Sequence, residues 1–103
     1  MMLFRFTWDE AKNLSNQKKH DGIEFEVAAR VFSDPLHLMM QDRIEEGEER
    51  WQTLGVVYGV TVLLVAHTLT EETEGRNPVE TIRIISARRA TRRERKRYEQ
   101  ENS

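Results

Sequence analysis

The order of apolar and polar positions predicts helices in the N-terminal third of the chain. Residues 4–8 are aromatic and fit either a strand or a docking segment. Asp9 is a good N-cap for a helix from residue 10 to about residue 20. Apolar residues at helical spacing predict a second helix over residues 24–32. Pro35 then ends the helical region, because the residue before a proline avoids helical backbone geometry.

The middle of the chain is rich in β-branched residues and predicts four strands. Their expected ranges are 36–42, 50–58, 61–70 and 81–88. The acidic segment 45–49 is expected to form a turn, and 71–78 an acidic loop, because turn-forming residues punctuate it. Short connections favour an antiparallel meander. With a last helix from residue 92 to about 100, the pattern predicts an α+β fold: two N-terminal helices, a four-stranded antiparallel sheet with its helices on one face, and a C-terminal helix.

Length and composition narrow the classes of protein that fit. A chain of 103 residues is expected to form a single domain, residues 1–103. The absence of cysteine excludes a disulfide framework, a thiol nucleophile and a thiolate metal site. The longest apolar run, residues 56–66, is too short to span a bilayer, and the N-terminus lacks the apolar region of a signal peptide. We expect a cytoplasmic protein.

Positive charge is concentrated near the C-terminus. Seven of the sixteen lysines and arginines lie between Arg88 and Arg97, although the net formal charge of the chain is −2. A local basic cluster on a mildly acidic protein is typical of a surface that binds a polyanion, most often a nucleic acid. Thr91 and Glu94 have the spacing of a capping box, so the cluster is expected on a helix. The alternative is a solvated charged helix without a ligand.

The strand before this cluster combines isoleucines with an arginine. Strict alternation gives two faces, one with Ile82, Ile84 and Ser86, the other with Arg83, Ile85 and Ala87. Arg83 then either keeps its guanidinium in water at a sheet end or directs it into a cleft.

Candidates for proton transfer are few. His67 is expected on the face of Leu63 and Val65 near a strand end, where a histidine is either structural or a proton-transfer group. No histidine has a metal-ligand spacing and the acidic runs lack EF-hand spacing, so neither a metal nor a cofactor is expected. Arginine, histidine, a carboxylate and a tyrosine near one strand–helix junction suit metal-free RNA cleavage, in which the 2′-hydroxyl attacks the adjacent phosphate.

Four blocks lie in order along nearly the whole chain: Phe6-x-Trp8-Asp9-x-x-Lys12-x-x-x-Asn16-x-x-Lys19-His20, Phe25-Glu26-x-Ala28-x-x-Val31-Phe32-x-Asp34-Pro35, Arg50-x-x-x-x-Gly55 and Ile82-Arg83-Ile84-Ile85-Ser86-Ala87-Arg88-x-Ala90-x-x-x-Glu94-Arg95-x-x-Tyr98. Together they resemble the BrnT family of type II toxins. The resemblance implies a RelE-like ribonuclease fold that inhibits translation. It also implies a BrnA antitoxin whose ribbon-helix-helix domain binds operator DNA, in a complex with two copies of each chain that represses its own promoter.

The sequence departs from the family pattern at two places. Lys19-His20-Asp21-Gly22 carries one residue more than the usual Lys-His-Gly, which is expected to reshape the end of the first helix. His67 stands where many relatives carry an aromatic residue, so a catalytic role for His67 is our own inference.

These observations give a set of expected roles. Arg83 and Arg88 would bind and stabilise the scissile phosphate, and Arg50 would assist. The candidates for proton transfer or positioning are His67, Glu94 and Tyr98, with Glu94 also needed in the helix cap. The remaining basic residues would track the RNA backbone or meet an acidic antitoxin segment: Arg89, Arg92, Arg93, Arg95, Lys96 and Arg97. The RNA would be cleaved free or on the ribosome.

Two alternatives use the same basic helix without catalysis. One is a nucleic-acid-binding module, and the other is an interaction protein that docks an acidic partner. Both lack a paired proton donor and acceptor, so an RNA-cleavage assay separates them from an endoribonuclease.

Overall fold

The computed structural model describes residues 3–102, in which five strands form one mixed sheet. The strands are β1 Leu3–Trp8, β2 Leu38–Glu45, β3 Glu48–Val57, β4 Thr61–Glu74 and β5 Asn77–Arg89. The helices are α1 Glu10–Lys19, α2 Phe25–Ala29 with the 3₁₀ helix Arg30–Ser33 directly after it, and α3 Arg92–Glu101. The strand order is β1-β5-β4-β3-β2. No helix in this part of the chain is long and apolar enough to cross a membrane.

The predicted α+β class is confirmed, but the four-stranded antiparallel sheet is wrong. The aromatic N-terminal segment forms β1, which pairs in parallel with β5 from Leu3 opposite Val79 to Trp8 opposite Ile84. A strand therefore precedes the first helix and the sheet has five strands. Pairing between segments so far apart in sequence leaves no turn signal between them, so periodicity alone did not predict it.

The predicted acidic loop over residues 71–78 is also wrong. Strand β4 continues to Glu74 and β5 begins at Asn77, so the connection is a two-residue turn. Gly75 takes a φ of 61°, a left-handed conformation that glycine adopts without strain. The turn-forming residues therefore mark one tight hairpin between two long strands.

Helices cover both faces of the sheet, so the prediction of helices on one face is wrong. Leu63 and Val65 of β4 belong to the core beneath α2 and the 3₁₀ helix, together with buried Phe25. Val62 and Leu64 point the other way and pack with Tyr98 of α3. Four successive apolar residues in β4 fit this arrangement, because a strand buried on both faces loses the polar half of its alternation.

Strand β3 lies very close to the 3₁₀ helix at Gly55. A Cβ at this position would lie 2.6 Å from Val31 Cγ1 and 2.9 Å from the Val31 carbonyl oxygen. A glycine inside a strand often marks such an approach of another backbone segment. Gly55 thus lets the 3₁₀ helix sit directly on the sheet.

Helix α1 docks through buried asparagines and not through leucine. Leu14 is 55% exposed, whereas Asn13 and Asn16 are buried. The Asn16 side chain accepts from the Ala87 backbone N–H at 3.1 Å and donates to the Ala87 carbonyl at 2.8 Å. It also donates to the carbonyl of Ile23. Since β1 ends opposite Ile84, Asn16 satisfies backbone groups on β5 that have no strand partner on that side.

Candidate active site

Strand β5 contains a β-bulge in its middle. Ser86 lies opposite Ala66 of β4 and Ile84 lies opposite His67, so Ile85 is an extra residue without a partner. A bulge of this kind interrupts the alternation of side chains along its strand. The two halves of β5 are therefore out of phase with each other.

The bulge corrects the predicted faces of this strand. Ile82, Ile84 and Ala87 all belong to the core beneath α2, although strict alternation separates Ala87 from the isoleucines. Arg83 and Arg88 are five residues apart and would otherwise point in opposite directions. With the bulge between them, both lie on the face that α3 partly covers.

A third arginine reaches the same face from β3. Arg50 and Leu54 are an even number of residues apart in β3, so their side chains lie on the same face of the sheet. Leu54 packs with Tyr98, which places this face on the α3 side. We call the partly exposed set Arg50, Arg83 and Arg88 the arginine face. Helix α3 covers only the part of this side that holds Leu54 and Leu64. The structure thus places on one face of the sheet the three arginines that are expected from the sequence to bind phosphate.

Glu48 links two of these arginines. The sequence pattern predicts only a turn over residues 45–49, so it does not identify Glu48 as a site residue. Its Oε1 accepts from Arg83 Nη2 at 2.6 Å and lies 3.4 Å from Arg50 Nε. Arg50 Nε is buried and has no hydrogen-bond partner among the described residues, since the Glu48 contact is an ion pair only. The feature of the sequence that points to Glu48 is its spacing from Arg50, because residues two apart in one strand lie on the same face.

Glu94 holds the third arginine in a fixed orientation. Its two oxygens accept from Arg88 Nη1 at 2.8 Å and Nη2 at 3.0 Å, a bidentate pairing. The Arg88 guanidinium lowers the pKa of the Glu94 carboxyl, with a further contribution from the Thr91 backbone N–H. The predicted capping box is confirmed, because Glu94 accepts from the Thr91 N–H and Thr91 accepts from the Glu94 N–H. Among residues 3–102, no group of three or more His, Asp or Glu side chains is placed to hold a metal ion.

Tyr98 is buried beneath α3 and its hydroxyl is occupied. The hydroxyl donates to Asp34 Oδ2, which also accepts from the Val56 backbone N–H at 2.9 Å. Burial and this hydrogen bond raise the pKa of Tyr98 to about 12. Tyr98 therefore ties α3 to the 3₁₀ helix end and to β3, away from the open part of the arginine face.

His67 lies on the opposite side of the sheet from the arginines. It is 0% exposed and its ring stands edge-on to Phe32 at 4.9 Å. Nδ1 lies 3.2 Å from the Thr68 carbonyl, which can only accept, so Nδ1 carries the proton and Nε2 accepts from the Thr53 hydroxyl at 2.7 Å. Burial lowers the pKa of His67 to about 4. The structure does not bring this imidazole to the site.

The buried His67 predicts a pH-dependent stability. The unfolded chain binds a proton near the ordinary pKa of 6.5, whereas the folded chain resists it down to about pH 4. The stabilisation is therefore complete above pH 6.5 and is lost as the pH falls towards 4. Between pH 7 and pH 5 we expect the free energy of unfolding to fall by about 2 kcal/mol. Chemical denaturation at both pH values measures this change, and His67→Phe should flatten the dependence. An unchanged profile in His67→Phe contradicts the assignment.

The basic cluster is displayed along α3 as predicted for a capped helix. Arg89 at the end of β5 is exposed, with Nε 4.0 Å from Asp21 Oδ2. On the helix itself the exposed basic side chains are Arg92, Arg93, Arg95, Lys96 and Arg97. They extend the positive surface beyond the arginine face, without contributing to its centre.

Comparison with solved structures shows that this fold is similar to that of a known toxin. The 1.1 Å crystal structure of the Brucella abortus ribonuclease toxin BrnT matches with a TM-score of 0.52 and 20% sequence identity. The match covers 89% of this chain and 99% of the Brucella chain. At this identity the likeness is one of fold. Among curated proteins, no sequence matches this chain.

Comparison with protein families gives a match over most of the sequence. The family profile described as "Ribonuclease toxin, BrnT, of type II toxin-antitoxin system" matches residues 8–94. This range contains β3 and β5, the two strands that carry the arginine face, and ends at Glu94, whose carboxylate pairs with Arg88. The chain therefore belongs to the BrnT family of ribonuclease toxins from type II toxin–antitoxin systems.

Proposed function

We propose that this toxin is an endoribonuclease that cleaves RNA on the arginine face without a metal ion. Arg83 and Arg88 bind the scissile phosphate and Arg50 assists them. The observation that carries the proposal is the bulge at Ile85, which sets both β5 arginines on one face. Guanidinium groups suit this role because their planar fork pairs with phosphate oxygens bidentately.

The proposed reaction is attack of a 2′-hydroxyl on its own adjacent phosphate. A base accepts the 2′-hydroxyl proton, the O2′–P bond forms, the P–O5′ bond breaks, and an acid protonates the leaving O5′. The product strand then ends in a 2′,3′-cyclic phosphate. The arginines stabilise the negative charge that accumulates at phosphorus, which is the role that metal ions play in other nucleases.

We assign the proton acceptor to Glu48. Of the earlier candidates, Glu94 is engaged by Arg88 and by the helix cap, Tyr98 by Asp34, and His67 lies on the other side of the sheet. Glu48 is also paired with an arginine, Arg83, but it caps no helix and its side chain is 43% exposed against 25% for Glu94. It would therefore lie beside the phosphate that Arg83 binds and remain open to the 2′-hydroxyl. In this proposal Glu94 positions Arg88, and His67 and Tyr98 stabilise the fold.

Glu48→Gln should lower kcat for RNA cleavage by about 10²-fold, the size of a typical loss of a general base. KM should change little, because the amide oxygen still accepts from Arg83. Single-turnover cleavage measures the chemical step. The matched control is Glu49→Gln, whose side chain is exposed and alternates to the other face of β3. Equal rates for the two variants would limit Glu48 to holding Arg83.

The experiment that tests the proposed function is cleavage of a defined RNA by the purified toxin in EDTA. Activity should persist, the product should carry a 2′,3′-cyclic or 3′-phosphate end, and a 2′-deoxy substitution at the scissile position should block the reaction. Activity that disappears in EDTA and returns with magnesium contradicts the mechanism. Binding without cleavage, on free and on ribosome-bound messenger RNA, would favour the non-catalytic module.

The partner that we propose is a BrnA-like antitoxin with a ribbon-helix-helix domain, in a complex with two copies of each chain. Operator DNA is contacted through the antitoxin. The exposed basic side chains of α3 fit two roles, tracking the RNA backbone and meeting an acidic antitoxin segment. The site of action proposed for the toxin is the cytoplasm, where messenger RNA is translated.

A further inference from the structure

A depression of about 160 Å³ lies between α1 and β5, outside the arginine face. We call it the lysine pocket, and it is lined by Lys12, Ser15, Asn16, Lys19, His20, Ile85 and Ser86. None of these residues was assigned a role in cleavage above. The volume corresponds to about five water molecules at ~30 Å³ each, enough for a phosphate group with some of its hydration.

The fold explains why the pocket lies here. Strand β1 ends opposite Ile84, so the edge of β5 beyond this point is met by α1 instead of by a strand. Asn16 fixes α1 against Ala87, and the bulged Ile85 lies directly before this contact. Lys12 and Lys19 are seven residues apart, two helical turns, and therefore project from the same side of α1.

The charge of the pocket is positive and uncompensated. Lys12, Lys19 and His20 line it with two hydroxyl groups, and no carboxylate does. Neither lysine forms an ion pair within residues 3–102, whereas each member of the arginine face has a carboxylate within 4.0 Å. Ammonium groups and hydroxyl groups are donors that favour phosphate oxygens.

We propose that the lysine pocket binds a backbone phosphate of the RNA next to the one that is cleaved. This inference rests on the proposed function, since it extends the RNA site from the arginine face to the edge of the sheet. Ser86 makes the connection, because it lies between Arg83 and Arg88 in β5, shares their face and also lines the pocket. A single strand of RNA that contacts both arginines would therefore pass over the bulge and reach α1.

The test is a double variant, Lys12→Gln with Lys19→Gln, and its matched control is Lys18→Gln. Lys18 is an exposed lysine of the same helix that does not line the pocket. The probe is an RNA oligonucleotide with a 2′-deoxy substitution at the scissile position, so that binding is read without cleavage. The double variant should bind about tenfold more weakly, independently of sequence. Its slope of log K against log salt should be shallower by about 0.7, the value for one phosphate of a single strand.

Two results would overturn the proposal. One is a double variant whose RNA affinity and salt slope equal those of Lys18→Gln. The other is a double variant that binds RNA normally but loses antitoxin, which would assign the pocket to an acidic segment of the partner. Because the probe is resistant to cleavage, these results do not depend on whether the arginine face catalyses cleavage. The phosphate-binding role of the lysine pocket and the catalytic role of the arginine face are therefore tested separately.

Discussion

Arg83→Ala should lower the rate of RNA cleavage by about 10²–10³-fold and abolish growth inhibition, the loss expected when one preorganised charge-stabilising donor is removed. The reason is that Arg83 would face the scissile phosphate from β5, held on one side by Glu48 at 2.6 Å. Arg88→Lys should cause a loss of similar size although it keeps the charge, because lysine lacks the planar fork that Glu94 orients. Cleavage kinetics and expression without antitoxin measure both effects.

The control for these variants is Arg76→Ala, at an exposed position in the turn between β4 and β5. It should remain fully toxic. Thermal melts should show that Arg83→Ala retains the fold, because the Arg83 side chain is 40% exposed and its pairing with Glu48 contributes little to stability. A folded Arg83→Ala protein with full toxicity would show that this arginine is a solvated strand residue.

Asn16→Ala should lower the free energy of unfolding by about 2–6 kcal/mol. The change leaves the buried N–H and carbonyl of Ala87 without the side chain that satisfies them, and each unsatisfied group costs about 1–3 kcal/mol. A domain of this size loses about 4–8 °C in Tm for each kcal/mol, so the shift is readily measured by calorimetry or circular dichroism. Among residues 3–102, Asn16 is the side chain of α1 that bonds both backbone groups of one β5 residue.

Leu14→Ala provides the comparison in the same helix. Hydropathy alone ranks leucine as the more important of the two residues, but Leu14 is 55% exposed and its removal should change stability by no more than about 0.5 kcal/mol. If Leu14→Ala proved the more damaging change, the docking of α1 described above would be incorrect.

The features that the sequence predicted well are local. Asp9 caps α1 by accepting from the Lys12 N–H, and Thr91 with Glu94 caps α3, both within four residues of the chain. Such interactions depend on neighbours in the sequence, and a motif states them completely. The ends of these helices could therefore be placed without a structure.

Apart from the local hairpin within residues 71–78, the features that the sequence did not predict depend on distant partners. Pairing of β1 with β5 involves segments at opposite ends of the chain, and the bulge at Ile85 is visible only against β4. The sequence also did not show which face of α1 is buried, because asparagine is ordinarily a surface residue. Asn16 is buried here because it hydrogen-bonds to the backbone of Ala87. In each case tertiary contacts outweighed the local pattern.

The candidate site shows the same division. The arginines could be named from sequence, since Arg83 lies between two isoleucines and all three arginines lie within blocks that resemble the family. Their common face depends on the bulge, and the pairing of Arg83 with Glu48 joins strands that are not neighbours in the chain. Residue identity was therefore predictable, whereas the proton acceptor required knowledge of which side chains converge.

The parallel pairing of β1 with β5 also affects how the toxin matures during synthesis. Residues 3–8 are made well before their partners, residues 79–84, so β1 has no strand to pair with until β5 has been made. Non-local pairing of this kind is slow to form, and chains grow at about 5–20 residues per second. Arg83, Arg88 and Glu94 are also made after strands β1 to β4. A chain that stalls before β5 consequently has neither the β1–β5 pairing nor a complete arginine face.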